Sequence, residues 1–243
     1  VKVSGIRRYP IKSCSGHEVQ AAVVGRRGVV GDHDYLVINE ANVFVTQRNS
    51  KKRGSFGVPS MCLVHPCPDG EEMMLKAPGM KDMWFPRRAY EDTVFEAQIW
   101  DDMCQVQEVS RAVSVWFTAF LAEERPGRYR LVRMVDDFVR QAKAGSAEVG
   151  FHDSYPFLIA SEESRTELTR RMKGAPVPMD RMRPTIILSG CTRPHEEDTF
   201  GRIRIGTVDF QNLETCDRCP MPGIDQATGR KDGRPLKALA RYR

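Results

Sequence analysis

The chain has 243 residues, 41% of them hydrophobic and 28% charged, and a formal net charge of +5. This composition is that of a globular protein and excludes a disordered or fibrous chain. No apolar run reaches the roughly 18 residues of a membrane span, and the dispersed cations carry no nucleic-acid-binding motif. We therefore predict no membrane span in this chain and no nucleic-acid partner.

The cysteines and the start of the chain bear on its compartment. The seven cysteines are odd in number and lack the dense spacing of a disulfide framework, which favours a reducing environment. The stretch after Val1 has no basic segment followed by an apolar core, so it is not a secretory signal. We expect an intracellular protein and leave open a membrane anchor before Val1.

Short strands are predicted to dominate the first half, separated by Gly, Pro and Asn. These strands are Val19–Val24, Tyr35–Asn39, Val43–Thr46, Met61–His65, Met73–Lys76, Thr93–Ile99 and Met103–Gln107. Their closeness leaves little room for crossover helices, which predicts antiparallel pairing in a barrel or meander. One helix is predicted because five apolar residues recur at helical spacing: Val109, Val113, Trp116, Phe117 and Phe120.

The second half is predicted to follow a polar segment. After a strand at Arg128–Met134, the weakly periodic Asp136–Gly150 indicates a linker or loop, so we predict domains at 1–135 and 136–243. The later elements are strand Tyr155–Ile159, a helix from Ser161 to Lys173 that ends before Gly174, strand Thr185–Ser189 and a hairpin turning at Gly206–Thr207. The fold class is β-rich α+β.

The sharpest local motif is the CxxC pair Cys216 and Cys219, which leaves three kinds of chemistry open. Zinc would need two further ligands, for which Cys62 with Cys67, or His65, are candidates. A redox dithiol usually sits at a helix N-terminus, which the following prolines disfavour. The third reading is a single thiolate ligand to a soft, high-valent metal, with the adjacent Arg218 favouring the ionised sulfur.

The wider sequence resembles a MOSC domain preceded by its N-terminal β-barrel, as in the mitochondrial amidoxime-reducing components and their bacterial relatives. In the second half the resemblance is carried by Phe151–Ile159, Arg183–Gly190, Glu197–Phe200, Ile205–Gly206, Cys216–Cys219 and Asp225–Gly229. In the first half it is carried by Tyr9–Cys14 and Gly31–Asn39. The resemblance implies two successive β-barrels with a few helices, and a second barrel truncated after Arg243.

The resemblance also implies a molybdenum-molybdopterin cofactor, with Cys219 as the protein's metal ligand and as the catalytic residue. By the same matching, the cofactor is lined by Lys12, Ser13, His33, Asp153, Ser154, Tyr155, Arg183, Thr185, Asp217 and Arg218. Cations at Lys12 and Arg183 suit the pterin's phosphate, hydroxyls suit its oxygens, and Asp153 suits pterin N–H groups.

Two positions depart from the family pattern. His33 stands where relatives commonly carry arginine, and Thr185 stands where the human-type protein has asparagine. A neutral His33 can donate one hydrogen bond but lacks the bidentate fork of a guanidinium. We therefore expect a different arrangement of contacts at these two places.

The implied activity is reduction of N-hydroxylated small molecules such as amidoximes, hydroxamic acids and hydroxylated base analogues. No ferredoxin-type cysteine pattern follows Cys219, so the electron donor is expected to be a separate protein, either a b-type cytochrome with its reductase or a flavoprotein. Two alternatives stay open, a cofactor- or sulfur-carrying module and a zinc-stabilised nucleic-acid-binding protein. The expected compartment is the cytoplasm, or the mitochondrial outer membrane if an anchor has been removed.

Overall fold

The computed structural model describes residues 1–48, 56–174, 176–217 and 219–243. The first half contains helix α1 (Arg111–Leu121) and strands β1 (Lys2–Arg8), β2 (His17–Val19), β3 (Val24–Gly25), β4 (Gly28–Val29), β5 (Tyr35–Ile38), β6 (Val45–Thr46), β7 (Phe56–Gly57), β8 (His65–Asp69), β9 (Glu72–Lys76), β10 (Met83–Pro86), β11 (Val94–Ile99), β12 (Asp102–Glu108) and β13 (Arg130–Met134). The second half contains strands β14 (Ile159–Ser161), β15 (Ile186–Ser189), β16 (Arg202–Ile205) and β17 (Val208–Gln211), with helices α2 (Glu162–Met172) and α3 (Arg234–Leu239). The predicted β-rich α+β class is confirmed.

One sheet joins the two halves of the chain. Its order is β14-β15-β1-β2, with β1 antiparallel to β15 and Ile6 opposite Ile186. Strand β14 is parallel to β15, and α2 forms the crossover between them. Strand β1, the first of the chain, therefore pairs along one edge with a strand about 180 residues later in the sequence.

The remaining sheets are open and, apart from the parallel pair β6–β7, antiparallel. Strands β11-β12-β13-β5 form one, β10-β9-β8 form another, and none of the described sheets closes on itself. Helix α1 covers β13 and β10, and its buried face carries Val113, Trp116, Phe117 and Phe120, as the periodicity predicted. Among the described residues, no helix has both the length and the apolar character needed to span a bilayer.

Several predicted strands are wrong in extent or type, for local reasons. Residues 20–23 form no strand, and strand pairing begins only at Val24, although Val23 O accepts from Val30 N at 2.9 Å. Pro59 begins a 3-10 helix, Pro59–Leu63, where a strand over Met61–His65 was predicted, and β8 starts only at His65. Pro156 lacks an amide hydrogen, and strand pairing there begins only at Ile159.

The predicted helix after Ser161 is confirmed, with the Ser161 side chain accepting from Ser164 N. It ends at Met172, and Lys173 takes a left-handed conformation with φ 50°, as a C-terminal cap. The predicted hairpin is confirmed as β16–β17, and residues 136–150 contain only the isolated bridge between Gln141 and Glu148. The division into domains at residue 135 stays a prediction.

Candidate cofactor site

A cavity of about 480 Å³ draws its lining from both halves of the chain. Small-molecule sites usually measure roughly 300–1,000 Å³. Every predicted site residue that the structure describes lines this cavity: Lys12, Ser13, His33, Asp153, Ser154, Tyr155, Arg183, Thr185, Asp217 and Cys219. The predicted Arg218 lies outside the described residues.

The joint sheet explains why these distant segments meet. The antiparallel pairing places the end of β1 beside the start of β15, and the parallel pairing places the start of β14 there too. Residues 12–13 follow β1, residues 153–155 precede β14, and residues 183–185 precede β15, so all three segments converge at one edge. The segment after β17 brings Asp217 and Cys219 to the same cavity.

Both thiols of the CxxC motif line the cavity and neither forms a disulfide. Cys219 is half-buried, and its Sγ accepts a hydrogen bond from Met221 N at 3.4 Å. Cys216 is more exposed, and its thiol lies 3.5 Å from the Asp217 carbonyl oxygen. Only a short 3-10 helix, Met221–Gly223, follows, so the motif lacks the α-helix N-terminus that activates redox dithiols.

Lys12 and Asp153 form an ion pair within the wall of the cavity. Lys12 Nζ lies 2.5 Å from Asp153 Oδ1 and 2.8 Å from the Phe151 carbonyl oxygen. Trp100 Nε1 donates to the same carboxylate at 2.8 Å, and Arg48 Nη2 lies 3.4 Å from its other oxygen. Enclosure alone would raise the pKa of Asp153, but the paired Lys12 lowers it overall. The Lys12 charge is thus already balanced.

Arg183 is held differently from Lys12. Its Nη1 donates to the Cys14 carbonyl oxygen at 2.8 Å, and its guanidinium lies 4.2 Å from the Tyr9 ring centroid. Its Nη2 is buried and has no hydrogen-bond partner among the described residues. Within the described part of the chain, Arg183 also forms no ion pair with a carboxylate. A donor and a positive charge therefore remain available to a ligand.

The other cations of the cavity are already paired. Lys143 Nζ lies 2.7 Å from Glu214 Oε1, and Arg181 lies 2.5 Å from Asp225 Oδ2 and 3.1 Å from Asp232 Oδ2. Arg48 lies 3.4 Å from Asp153 Oδ2, so Arg183 is the described cavity cation for which no carboxylate partner is found.

Several predicted hydroxyl groups are engaged within the protein. Ser13, with φ 68°, donates from Oγ to Thr46 Oγ1 at 3.0 Å. Thr185 Oγ1 accepts from Leu158 N at 3.5 Å, and Tyr155 donates to Glu214 at 3.0 Å. Ser154 uses its backbone carbonyl to accept from Lys143 N. The Ser13 and Tyr155 hydroxyls therefore direct their hydrogens to protein acceptors, whereas Thr185 Oγ1 acts in its contact as an acceptor.

His33 contributes to the wall in a way that the sequence did not indicate. Its Nδ1 lies 2.9 Å from Asp32 Oδ2, and Asp32 also lies 3.0 Å from His152 Nε2. Burial would raise the pKa of Asp32, but both histidines lower it overall, so Asp32 is a carboxylate. The donor of neutral His33 is therefore directed at Asp32, and the predicted hydrogen bond from His33 to the cofactor is not supported.

The sequence analysis missed further residues in this cavity: Arg48, Trp100, Lys143, His152, Arg181 and Glu214. Trp100 and His152 could not be identified from the sequence, since a single aromatic or histidine gives no pattern. For Arg48, the sequence offers one indication, which is its position just after the predicted strand Val43–Thr46. The zinc alternative lacks support, because no described group of three potential ligands includes Cys216, Cys219, Cys62 or Cys67.

Comparisons with known proteins agree with this geometry. Residues 1–124 match the MOSC N-terminal beta barrel domain, and residues 146–243 match the MOSC domain. The chain therefore belongs to the MOSC family.

Its relatives include proteins of two kinds. It is 31% identical over 258 residues to mitochondrial amidoxime reducing component 2 of Bos taurus, covering 99% of this chain and 72% of that protein. It is 29% identical to mitochondrial amidoxime-reducing component 1 of Homo sapiens, covering 97% and 70%. It is also 28% identical to molybdenum cofactor sulfurase of Bos taurus, covering 99% of this chain and 29% of that protein.

Proposed function

We propose that this chain binds a molybdenum-molybdopterin cofactor through Cys219 and reduces N-hydroxylated small molecules. The observation that carries the proposal is the cavity, in which a half-buried thiol and an arginine with an unpartnered Nη2 line the same space. The names of two relatives, amidoxime-reducing components, support the substrate class.

The residues present suit such a cofactor. Cys219 Sγ is a soft ligand for molybdenum, and Arg183 Nη2 can donate to the phosphate that ends the pterin. Lys12, Ser13, Asp153, Ser154, Tyr155, Thr185 and Asp217 would enclose the pterin, and Arg218 is proposed to join them. When bound, the metal centre would supply the two-electron reduction of the N–O bond.

The chain's own residues would then bind and orient the reactants. The Lys12–Asp153 pair balances the charge in that part of the wall, and Arg183 would hold the anionic end of the cofactor. Electrons would come from a separate protein, a b-type cytochrome with its reductase or a flavoprotein. The compartment, cytoplasmic or mitochondrial, stays a prediction.

The proposal is tested by substituting the ligand. Wild type, Cys219→Ala and the control Cys67→Ala are purified, and molybdenum and oxidised pterin are measured alongside reduction of benzamidoxime by a chemical reductant. We expect Cys219→Ala to keep its fold and lose turnover, while Cys67→Ala, whose thiol lies outside the cavity, behaves as wild type. Equal turnover in cofactor-loaded Cys219→Ala would contradict the assignment.

A second function is favoured by the similarity to molybdenum cofactor sulfurase over 99% of this chain. In that case the chain carries the cofactor or delivers sulfur to it without reductase turnover. Stoichiometric molybdenum in a protein that does not reduce benzamidoxime would support the carrier. Reduction at a steady rate would support the reductase.

A further inference from the structure

Three titratable groups form a hydrogen-bonded unit beside the cavity. Asp32 Oδ2 lies between His33 Nδ1, at 2.9 Å, and His152 Nε2, at 3.0 Å. The two imidazole rings face each other with centroids 4.3 Å apart. Asp32 Oδ1 accepts from Tyr9 N at 2.5 Å, and the carboxylate side chain is fully buried. The carboxylate is therefore fixed from three directions.

This arrangement determines which ring nitrogen of His33 meets the cavity. Because ionised Asp32 only accepts hydrogen bonds, each histidine must direct an N–H towards it. Neutral His33 then carries its hydrogen on Nδ1, and its Nε2 carries no hydrogen. His33 lines the cavity with 16% of its side chain exposed, and no described residue forms a hydrogen bond with Nε2.

We propose that Asp32, His33 and His152 are a proton-transfer unit, in which His33 Nε2 delivers protons to the substrate in the cavity. The inference rests on the proposed reductase function. Reduction of an N-hydroxylated compound breaks the N–O bond, takes two electrons from the external donor and two protons, and releases an amine and water. His33 takes a proton from bulk solvent on Nε2, Asp32 stabilises the resulting imidazolium, and His33 then gives that proton to the substrate; a second such cycle supplies the second proton.

Other acid–base groups in the cavity are less available for this role. Lys12 and Asp153 are bound to each other, and Glu214 accepts from both Lys143 and Tyr155. Among the described cavity residues, His33 and His152 each have Asp32 on one ring nitrogen and no hydrogen-bond partner on the other. The second nitrogen of His152 is buried, whereas the His33 side chain is 16% exposed at the cavity. Its oriented ring is the arrangement that general acid–base catalysis requires.

The charged and titratable groups around His33 set the direction of its pH dependence. Burial lowers the pKa of His33 to about 4; Asp32 raises it, while His152 and Lys12 lower it. Tyr9, the other titratable ring beside it, lies 6.1 Å away. The protonated form therefore becomes rarer as pH rises above about 4. Turnover limited by this proton should decline with rising pH through neutrality.

The tautomer is tested first, without any activity measurement. Nitrogen-15 NMR of the histidine rings in the purified protein should show His33 protonated on Nδ1 and His152 protonated on Nε2 at neutral pH. In Asp32→Asn both signals should change together. A His33 ring protonated on Nε2 at neutral pH, or signals that Asp32→Asn leaves unmoved, would overturn the inference.

Proton delivery is tested by His33→Gly, which suits the left-handed backbone at His33, φ 52°. Cofactor-loaded His33→Gly should lose turnover about a hundredfold at unchanged KM, lose the pH dependence, and recover when imidazole is added. His65→Gly, at an exposed histidine outside the cavity, is the matched control. Unchanged turnover, or loss that imidazole does not restore, would overturn the proposal.

The two proposals fail in different ways. A wild type that does not reduce benzamidoxime removes the reductase function, and the proton-transfer role falls with it even if the NMR tautomers are as expected. A wild type that reduces benzamidoxime while His33→Gly matches its rate and pH profile removes only the proton-transfer unit. Zinc bound stoichiometrically to wild type and lost in His33→Gly would also overturn the unit.

Discussion

Lys12 and Arg183 are cations in the wall of the same cavity, but their surroundings differ. Lys12 contacts a carboxylate at 2.5 Å, whereas Arg183 contacts a backbone carbonyl and an aromatic ring and keeps Nη2 unpartnered among the described residues. A buried cation with its counter-ion contributes to the fold, and one without it is suited to an anionic ligand. Both cations were predicted to bind the pterin's phosphate, but the structure suits Lys12 to stabilising the fold and Arg183 to binding the anionic ligand.

The largest expected effect comes from breaking the Lys12–Asp153 pair. Asp153→Asn should lower the free energy of unfolding of the cofactor-free protein by about 3 kcal/mol, because Lys12 stays buried without its counter-ion. We place the effect at the low end because 48% of the Asp153 side chain is open to the cavity. Urea denaturation measures it, with exposed Asp137→Asn as control. Equal stability of the two variants would mean that Lys12 does not depend on Asp153.

Removing Arg183 should weaken ligand binding more than folding. Arg183→Met should lower affinity for the cofactor about thirtyfold, the loss of one charge-assisted hydrogen bond worth about 2 kcal/mol. Unfolding of the cofactor-free protein should change by less than about 1 kcal/mol. Pterin retention during dialysis measures the first effect, and Arg202→Met, at an exposed arginine, is the control. Full retention in Arg183→Met would remove Arg183 as the anchor.

The same comparison predicts a pH dependence of stability. The folded-state pKa of Asp153 is lowered, so its stabilising contribution is complete above the unfolded-state pKa of about 4 and is lost as pH falls below it. The stability difference between wild type and Asp153→Asn should therefore be full near pH 6 and shrink towards pH 3. Denaturation at a series of pH values measures this difference. A difference that grows on acidification would contradict the assigned ion pair.

The smallest effect is expected at the first cysteine of the CxxC motif. Cys216→Ser should retain cofactor and turnover within about twofold, because its exposed thiol is proposed to be a neighbour of the ligand and not the ligand itself. Molybdenum content and benzamidoxime reduction measure it. Loss of molybdenum from Cys216→Ser equal to that from Cys219→Ala would mean that both sulfurs hold the metal.

The sequence predicted local features well where one pattern dominated. Helix α1 followed from its apolar spacing, α2 from the Ser161 cap, and the β16–β17 hairpin from its glycine turn. The residues lining the cavity followed from the family resemblance, and they do converge in the structure.

What the sequence could not predict depends on partners that are distant along the chain. The pairing of β1 with β15 joins residues about 180 positions apart, and no local pattern encodes it. The contact between Lys12 and Asp153 spans 141 positions, so two residues assigned to the cofactor were found to bind each other. The link between His152 and Asp32 spans 120 positions, so no local pattern indicates it.

The β1–β15 pairing also has a consequence for biogenesis. While a ribosome makes this chain, the edge of β1 that later receives β15 has no partner until residues 186–189 have emerged. The cavity needs that docking, and it also needs Cys219, which is made later still. Loading with a cofactor would therefore be a post-translational event, and a tightly held ligand would lock the amino-terminal strand in place.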